Sequence, residues 1–447
     1  MKRRKFIYQA AAATAGGMAI PGLVHSFNIN RSFQPNNKIN IGVVGCNGMG
    51  WSNVKSFIKN AEVDLRAICD VDQNVIEKRF VEYTGIRKNK PRKYTDYREL
   101  LENKSLDAVI IGTPDHWHCK MMVDAVEAGK HVYVEKPAAN SIEECYIMMK
   151  AADKSGKMVQ TGQWQRSGTH YREAIDIVQS GKLGNIRLVK VWAYQGWMKP
   201  VPVVPDSVVP EGVDYEFWLG PATMRPFNAN RFHFNFRWFW DYAGGLMTDW
   251  GVHEIDIALL TMKTNAPKSI MASGGKLAYP DDASETPDTL QAIFEYDDFN
   301  MLWEHATGID LGPYNRREGI AYIGNNGTLV LNREGYEVLV EKEAQGYAST
   351  GTGKMESIEG KKRPEGVSYL DLHTANFLEA MKANDSKLLN SGIHSGSIAA
   401  INAHMGNVAY RTGKKVYWDN EKQTFNDSEA DAYIHPTYHN GWKIPEY

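Results

Sequence analysis

The chain has few of the features that mark several protein classes. It carries four cysteines in 447 residues, Cys46, Cys69, Cys119 and Cys145. None forms a C-x-x-C pair and all precede residue 150, which argues for structural thiols over disulfides or zinc ligands. An excess of one charge is also missing. Fifty-one Lys and Arg against 53 Asp and Glu give a net charge of −2, so there is no electrostatic footprint for nucleic acid or for an anionic membrane. No segment reaches about 18 uninterrupted apolar residues, so no membrane span is expected. There is no internal repeat and no low-complexity tract.

What is present is a globular composition, 43% hydrophobic and 23% charged, in a chain long enough for two domains. Twenty-two Tyr and 12 Trp can stack on sugar faces, but they also build cores and decide little alone. The amino terminus, "MKRRKFIYQAAAATAGGMAIPGLVHS", has a basic start, a short Ala/Gly-rich apolar stretch and a break. That is a signal-peptide plan, and Arg3-Arg4 before Lys5-Phe6 resembles a twin-arginine signal. Residues 1–30 are therefore expected to direct export to the periplasm, with no lipoprotein cysteine following.

Residues 38–163 read as strands alternating with helices. Apolar strands are expected at 39–44, 63–72, 106–114, 131–134 and 157–163, with a short one at 92–94; helices are expected at 51–60, 73–84, 118–129 and 141–155. Ser141 and Glu144 make a capping box. Such alternation means a doubly wound parallel sheet with helices on both faces, whose ligands bind at the carboxyl ends of the strands. From 164 to 420 the pattern changes. After a helix at 169–180 come segments of period two, 185–196, 267–276, 289–297, 300–305, 319–323, 328–331 and 335–341, which predict a large, mostly antiparallel open sheet. Residues 343–366 read as a mobile surface loop. Helices at 371–382 and 394–411 precede a polar tail, 421–447. The fold class is α/β.

Four segments carry chemistry. "GVVGCNGMG" sets Gly45, Asn47, Gly48, Met49 and Gly50 between the first strand and helix. It is an imperfect G-x-G-x-x-G in which Asn47, a residue tolerant of left-handed angles, stands at the middle position. Glycines there let the backbone approach a pyrophosphate at a helix amino terminus. Asp70 ends the second strand 25 residues after Gly45, where an acid holds the adenosine ribose and repels a 2′-phosphate, so NAD is favoured over NADP. "TPDHWH", 113–118, ends the fourth strand; Thr113, Pro114 and His118 are candidate cofactor contacts. His116 and His118 lack a third ligand at metal spacing, and no metal is expected. "HVYVEKPAANS" places Glu135, Lys136 and Pro137 at the end of the next strand. In "WDYAGGLMTDWGVHEIDIALL", Asp249, His253 and Asp256 fall at i, i+4 and i+7, on one face of a largely buried helix. A buried Asp–His pair suits removal of a hydroxyl proton.

Taken together, the Gly45–Gly50 loop, "TPDHWH", "EKP" at 135–137 and "GGLMTDWGVHEID" at 244–256 resemble the Gfo/Idh/MocA oxidoreductases over residues 38–420. Asn47 is the one departure. The resemblance implies a Rossmann domain binding NAD and a carboxyl-terminal α/β domain on an open sheet whose exposed face finds a partner, hence a homo-oligomer. It implies that Lys136 lies between nicotinamide and substrate, with Asp249 and His253 as its catalytic companions and Glu135 positioning cofactor or lysine. Gln163, Arg166 and Tyr242 are expected to line the substrate cleft with His253 and the aromatic segment 230–240, although core packing is open for those rings. The function so implied is hydride transfer at a secondary hydroxyl or ketone of a sugar, glycoside or polyol. The alternative is a redox-neutral, NAD-retaining glycosidase or lyase, which export beyond the supply of free NAD keeps open. In the glycosidase branch associated with the fold the E-K-P lysine is absent, which favours the dehydrogenase.

Overall fold

The computed structural model describes residues 38–447, and the expected export signal lies outside the described residues. The chain opens with β1 (Ile39–Val44), α1 (Gly48–Phe57), β2 (Val63–Cys69), α2 (Gln73–Ile86), β3 (Arg92–Tyr94), α3 (Tyr97–Leu101), β4 (Ala108–Ile111), α4 (His118–Glu127), β5 (His131–Val134), α5 (Ile142–Ser155) and β6 (Val159–Thr161). The six strands form one parallel sheet in the order β3-β2-β1-β4-β5-β6. Strands buried on both faces need continuous apolar runs, as in "AVII" of β4. The strand order reverses between β1 and β4, and a crevice opens there at the strands' carboxyl ends. Ser141 caps α5, accepting from the Glu144 N–H at 3.2 Å. Its hydroxyl donates to the Glu144 carboxylate at 3.0 Å.

The second half contains α6 (Thr169–Gln179), β7 (Ile186–Gln195), α7 (Tyr215–Leu219), α8 (Gly245–Asp249), α9 (Gly251–Met262), β8 (Ser269–Gly275), β9 (Thr289–Glu295), β10 (Asn300–Thr307), β11 (Glu318–Gly324), β12 (Gly327–Asn332), β13 (Gly335–Val340), β14 (Lys342–Gln345), β15 (Ala348–Gly353), β16 (Lys361–Lys362), α10 (Tyr369–Ala383), α11 (Ile393–Thr412), β17 (Val416–Asp419) and β18 (Thr424–Phe425). Ten strands make one sheet, β16-β13-β12-β11-β7-β10-β9-β8-β17-β18, in which only the β7–β10 pair is parallel. α11 joins the halves, packing on α5, α9 and β8. Its small residues permit that approach: a Cβ on Gly396 would lie 2.4 Å from Thr161.

Three expectations need correction. Residues 343–366 lie at the surface as expected but carry strands: Gly346 at φ +60 turns the chain between β14 and β15, and β16 adds to the edge of the large sheet. Residues 421–447 are not a free polar tail. Tyr438 Oη donates to the Glu144 carboxylate at 2.6 Å, Trp442 packs edge-on to Trp117 at 4.8 Å, and Asn440 Nδ2 donates to the Gly220 carbonyl at 2.8 Å. The single helix expected across 245–260 is broken at Trp250. Lys136 Nζ takes the Asp249 carbonyl at 2.8 Å, and the His253 N–H, which would bond that carbonyl in an unbroken helix, bonds the Trp250 carbonyl at 3.0 Å instead.

Candidate active site

A cavity of about 330 Å³ fills the crevice. Its floor comprises Gly45, Asn47, Gly48, Met49, Asp70, Thr113, Pro114, Asp115, Glu135 and Lys136; its roof is Phe232, His233, Phe234, Phe236 and Arg237 from the second half. The floor begins with bare backbone. A Cβ on Gly50 would lie 1.9 Å from the Gly45 carbonyl oxygen, and one on Gly45 would lie 2.7 Å from Gly112, so these glycines let the β1 turn, α1 and the β4 end close on one another. Gly48, at φ +46, makes the left-handed turn. Asn47 stays extended at φ −92 as the amino-terminal cap of α1, so the left-handed role expected of it passes to its neighbour, and helix α1 starts three residues earlier than expected.

Asp70 lines the cavity beyond β2. Its carboxylate accepts from the Cys46 N–H at 2.8 Å and the Asp72 N–H at 3.1 Å. Burial raises its pKa, opposed by those two N–H groups and by His233. His233 Nε2 lies 3.1 Å from the Asp72 carboxylate, tying roof to floor at this end.

At the other end, Glu135 accepts from Asn53 Nδ2 at 2.7 Å and from the Lys136 N–H at 3.2 Å. Burial raises its pKa. The next peptide, Lys136–Pro137, is cis. Lys136 Nζ donates to the Asp249 carboxylate at 2.7 Å as well as to its carbonyl. Arg237 Nε donates to the same carboxylate oxygen at 3.1 Å. Burial would raise the Asp249 pKa, but Lys136 and Arg237 together bring it down to about 2. His253 is buried and lowered well below the usual imidazole value by that burial, then by Lys136 and Arg333, so it is neutral at pH 7. Its Nδ1 has no hydrogen-bond partner among the described residues, Asp249 included. Asp115 is pushed up to about 7 by burial and by Asp249, against the pull of Arg237 and Lys136.

The structure thus brings together Lys136, Asp249 and the cofactor candidates of the floor, with His253 one helical turn beyond Asp249. It separates others. His118 is sequestered, its ring nitrogens 2.7 Å from the Pro137 carbonyl and 2.9 Å from the Thr113 carbonyl, and burial lowers its pKa to about 4. His116 lies 3.2 Å from the Trp218 carbonyl. Gln163, Arg166, Tyr242 and His253 do not line the cavity as expected, His253 being packed against Trp164 and Trp250 instead. Gln163 Oε1 accepts from Thr161 and Ser391 at 2.6 and 3.0 Å; Arg166 makes a two-pronged pair with buried Asp256, both contacts 2.7 Å; Tyr242 is fully buried between His116 and Trp218. Ser391, Asp256, His116 and Trp218, which help hold them, come from distant parts of the chain. Asp115, Arg237, Asn53 and Gly112 were missed as site residues. Asp115 and Arg237 sit inside "TPDHWH" and the aromatic segment 230–240, where a charge among buried rings was the available sign.

This floor and roof define an NAD-binding site of Rossmann type. Residues 39–163 match the family model for the Gfo/Idh/MocA oxidoreductases with an NAD-binding Rossmann fold, and residues 161–330 match that of the family's carboxyl-terminal alpha/beta domain. The chain belongs to this family. It is 34% identical over 152 residues to glycosyl hydrolase family 109 protein 1 of Shewanella sp. (strain MR-4), 33% of each chain. It is 33% identical over 152 residues to the alpha-N-acetylgalactosaminidase of Shewanella oneidensis, again 33% of each. The match thus spans a third of the length of these curated relatives. Among solved structures, the WlbA dehydrogenase from Bordetella pertussis, in complex with NADH and UDP-GlcNAcA, has the same fold, with a TM-score of 0.61 and 19% identity over 86% of this chain and 99% of that one.

Proposed function

We propose that the protein is an NAD-dependent dehydrogenase that transfers hydride at a secondary hydroxyl or ketone of a sugar, glycoside or polyol. The observation that carries this is Lys136, on the cavity floor, anchored through Asp249 at 2.7 Å. The floor fits NAD: side-chain-free backbone at Gly45 and Gly48 for a pyrophosphate, and the Asp70 carboxylate for a ribose diol, with Thr113–Pro114 and Glu135 beyond. Bound NAD supplies the hydride acceptor or donor. Lys136 holds the reacting oxygen and stabilises alkoxide character on it, as a preorganised cation does. Asp249, ionised, fixes the ammonium, and Arg237 fixes Asp249. His253, neutral at pH 7 and one helical turn beyond Asp249, is the base that takes the hydroxyl proton in this reading.

A second reading, a redox-neutral glycosidase that keeps its NAD, is favoured by the names of the partial-length relatives. One experiment separates the two. Protein purified with its NAD is given a panel of methyl and nitrophenyl glycosides while absorbance at the NADH band and nitrophenol release are followed together. Net NADH supports the dehydrogenase; nitrophenol release without NADH overturns it. Export by the twin-arginine route and assembly through the exposed face of the ten-stranded sheet are part of the same proposal. Retention of an Arg3-Arg4→Lys-Lys variant in the cytoplasm, and a multimeric mass in light scattering, are the expected outcomes.

A further inference from the structure

A second groove of about 680 Å³ is lined in part by Trp250, the residue that follows Asp249. Its walls include four arginines, Arg316, Arg317, Arg333 and Arg363, and two tryptophans, Trp197 and Trp250. Two of the arginines are already matched: Arg316 to Glu337 at 2.7 Å and Arg317 to Asp310 at 2.8 Å. The other two have no carboxylate within ion-pair distance among the described residues. Arg333 lies over the rings of Trp164 and Trp250, 4.5 and 4.3 Å from their centroids, and donates to Gln165 Oε1. Arg363 lies over Tyr369 and donates to the Val367 carbonyl. Gln195, fully buried in the groove wall, accepts from the Trp197 indole and leaves its own Nε2 without an acceptor. A buried amide donor left unpaired is costly unless an acceptor arrives. Of the acids in the wall, Glu318 is drawn toward its neutral form by burial. Trp197 is 46% exposed, a ring face available for stacking.

Trp250 and Arg333 link the groove to the surroundings of His253. Trp164 and Trp250, the two rings under Arg333, lie 5.9 and 6.3 Å from the His253 ring. We propose that the groove is a subsite for a sugar unit bearing an anionic substituent, reached by a substrate that extends past Trp250 from the hydroxyl held at Lys136 and His253. Guanidinium groups without carboxylate partners recognise the anion, and the Gln195 amide and the tryptophan faces recognise the ring. This rests on the reading of the substrate as a glycoside and adds its class: an acidic saccharide, whether carboxylated or sulfated.

The test uses the NAD-loaded protein and three probes: methyl glucoside, methyl glucuronide and methyl glucoside 6-sulfate. Binding is followed by tryptophan fluorescence, which requires no hydride transfer. At least one acidic probe is expected to bind about tenfold more tightly than the neutral one, with the advantage shrinking as salt is raised. Which acidic probe shows it distinguishes carboxylate from sulfate. Arg363→Gln, at the exposed rim, should cut the advantage severalfold, and Arg333→Gln should bring it near unity. Equal affinity for all three probes overturns the subsite, as does an advantage untouched by salt and by Arg363→Gln. Selective binding of an acidic probe with no NADH from any glycoside would leave the groove standing and remove the dehydrogenase reading. NADH from neutral glycosides without acidic preference would do the reverse.

Discussion

The two ends of the cavity are built differently. The β1–α1 end is made of backbone, from one stretch of nine residues and one acid 25 residues after Gly45. Its constraints are steric and local: Gly50 and Gly45 are fixed by a carbonyl oxygen and by Gly112, and Asp70 by two neighbouring N–H groups. The other end is made of side chains brought from β5, the segment after β4, the roof and the α8–α9 junction. Its constraints are electrostatic: one carboxylate, Asp249, between two cations, and a neutral imidazole beside them. The first end can be read from spacing. The second cannot, because charge balance depends on which distant cation arrives.

The sharpest way to break that contrast is Lys136→Ala. If the reaction end works by preorganised charge, turnover should fall by roughly 10²–10³, about 3–4 kcal/mol of transition-state stabilisation, while NAD titration stays near normal because the glycine floor and Asp70 remain. His253→Ala should cost a similar factor, and the double variant less than the product of the two, since both act on one hydroxyl. Near-normal turnover in Lys136→Ala would remove the electrostatic half of the comparison.

The same electrostatic end should reveal itself in stability. The Asp115 pKa is raised to about 7 in the folded chain, so the folded state binds the proton more tightly than the unfolded one. Stability from this group is present at low pH and is lost as pH rises from the unfolded carboxylate value toward 7, which amounts to about 3 kcal/mol between pH 5 and pH 8. Asp115→Asn should abolish that share. Thermal melts of both proteins at pH 5 and pH 8 are the measurement, read as the difference between variant and wild type, because Glu144 and Glu254 are also raised, to about 7 and 8. Parallel shifts in both proteins would mean that Asp115 titrates normally.

The backbone end predicts a different dependence, on space instead of charge. Gly50→Ala sets a Cβ 1.9 Å from a carbonyl oxygen and should cost about 3 kcal/mol along with NAD binding. Gly48→Ala meets no atom within 4 Å and should cost only about 1 kcal/mol, the penalty of its positive φ. Denaturant unfolding of the two variants checks the pair; equal losses would show that conformation, not crowding, governs the turn.

The contrast also explains what the sequence disclosed. The existence and order of the strands in the first half follow from apolar runs ended by Gly, Asp or Pro, although 106–114 and 157–163 shorten to Ala108–Ile111 and Val159–Thr161, and Lys136 is legible because β5 ends where a parallel sheet binds its ligands. The helix across 245–260 was misread because periodicity has no term for Lys136 capturing the Asp249 carbonyl. Arg166 and Gln163 were polar residues near the right strand, yet Asp256 and Ser391, brought in by α9 and by the turn before α11, occupy them. The roof was partly legible. An aromatic segment rich in Arg and Asn had to cover something, but its position over the cofactor floor depends on a long connection whose course no local pattern sets.

Arg237 gives the smallest and most discriminating effect. It shares Asp249 Oδ1 with Lys136, at 3.1 Å against 2.7 Å, and stands over the Phe234 and Phe236 rings at 4.8 and 4.6 Å. Removing it leaves Asp249 ionised, since Lys136 remains the stronger influence on that carboxylate. What is lost is the brace that fixes the carboxylate's rotamer and one link between roof and floor. Arg237→Ala should therefore lower kcat/KM by about tenfold, near 1.4 kcal/mol, well short of the Lys136 loss. Arg237→Lys should recover only part, because an ammonium cannot reproduce a guanidinium stacked on two rings. If the brace acts on Lys136, kcat falls; if it acts only by closing the roof, NAD dissociates faster and kcat at saturating NAD is unchanged. Stopped-flow NAD release measured beside steady-state turnover of Arg237→Ala distinguishes these outcomes. A loss as large as that of Lys136→Ala would instead make the arginine, not the lysine, the principal cation of the reaction end.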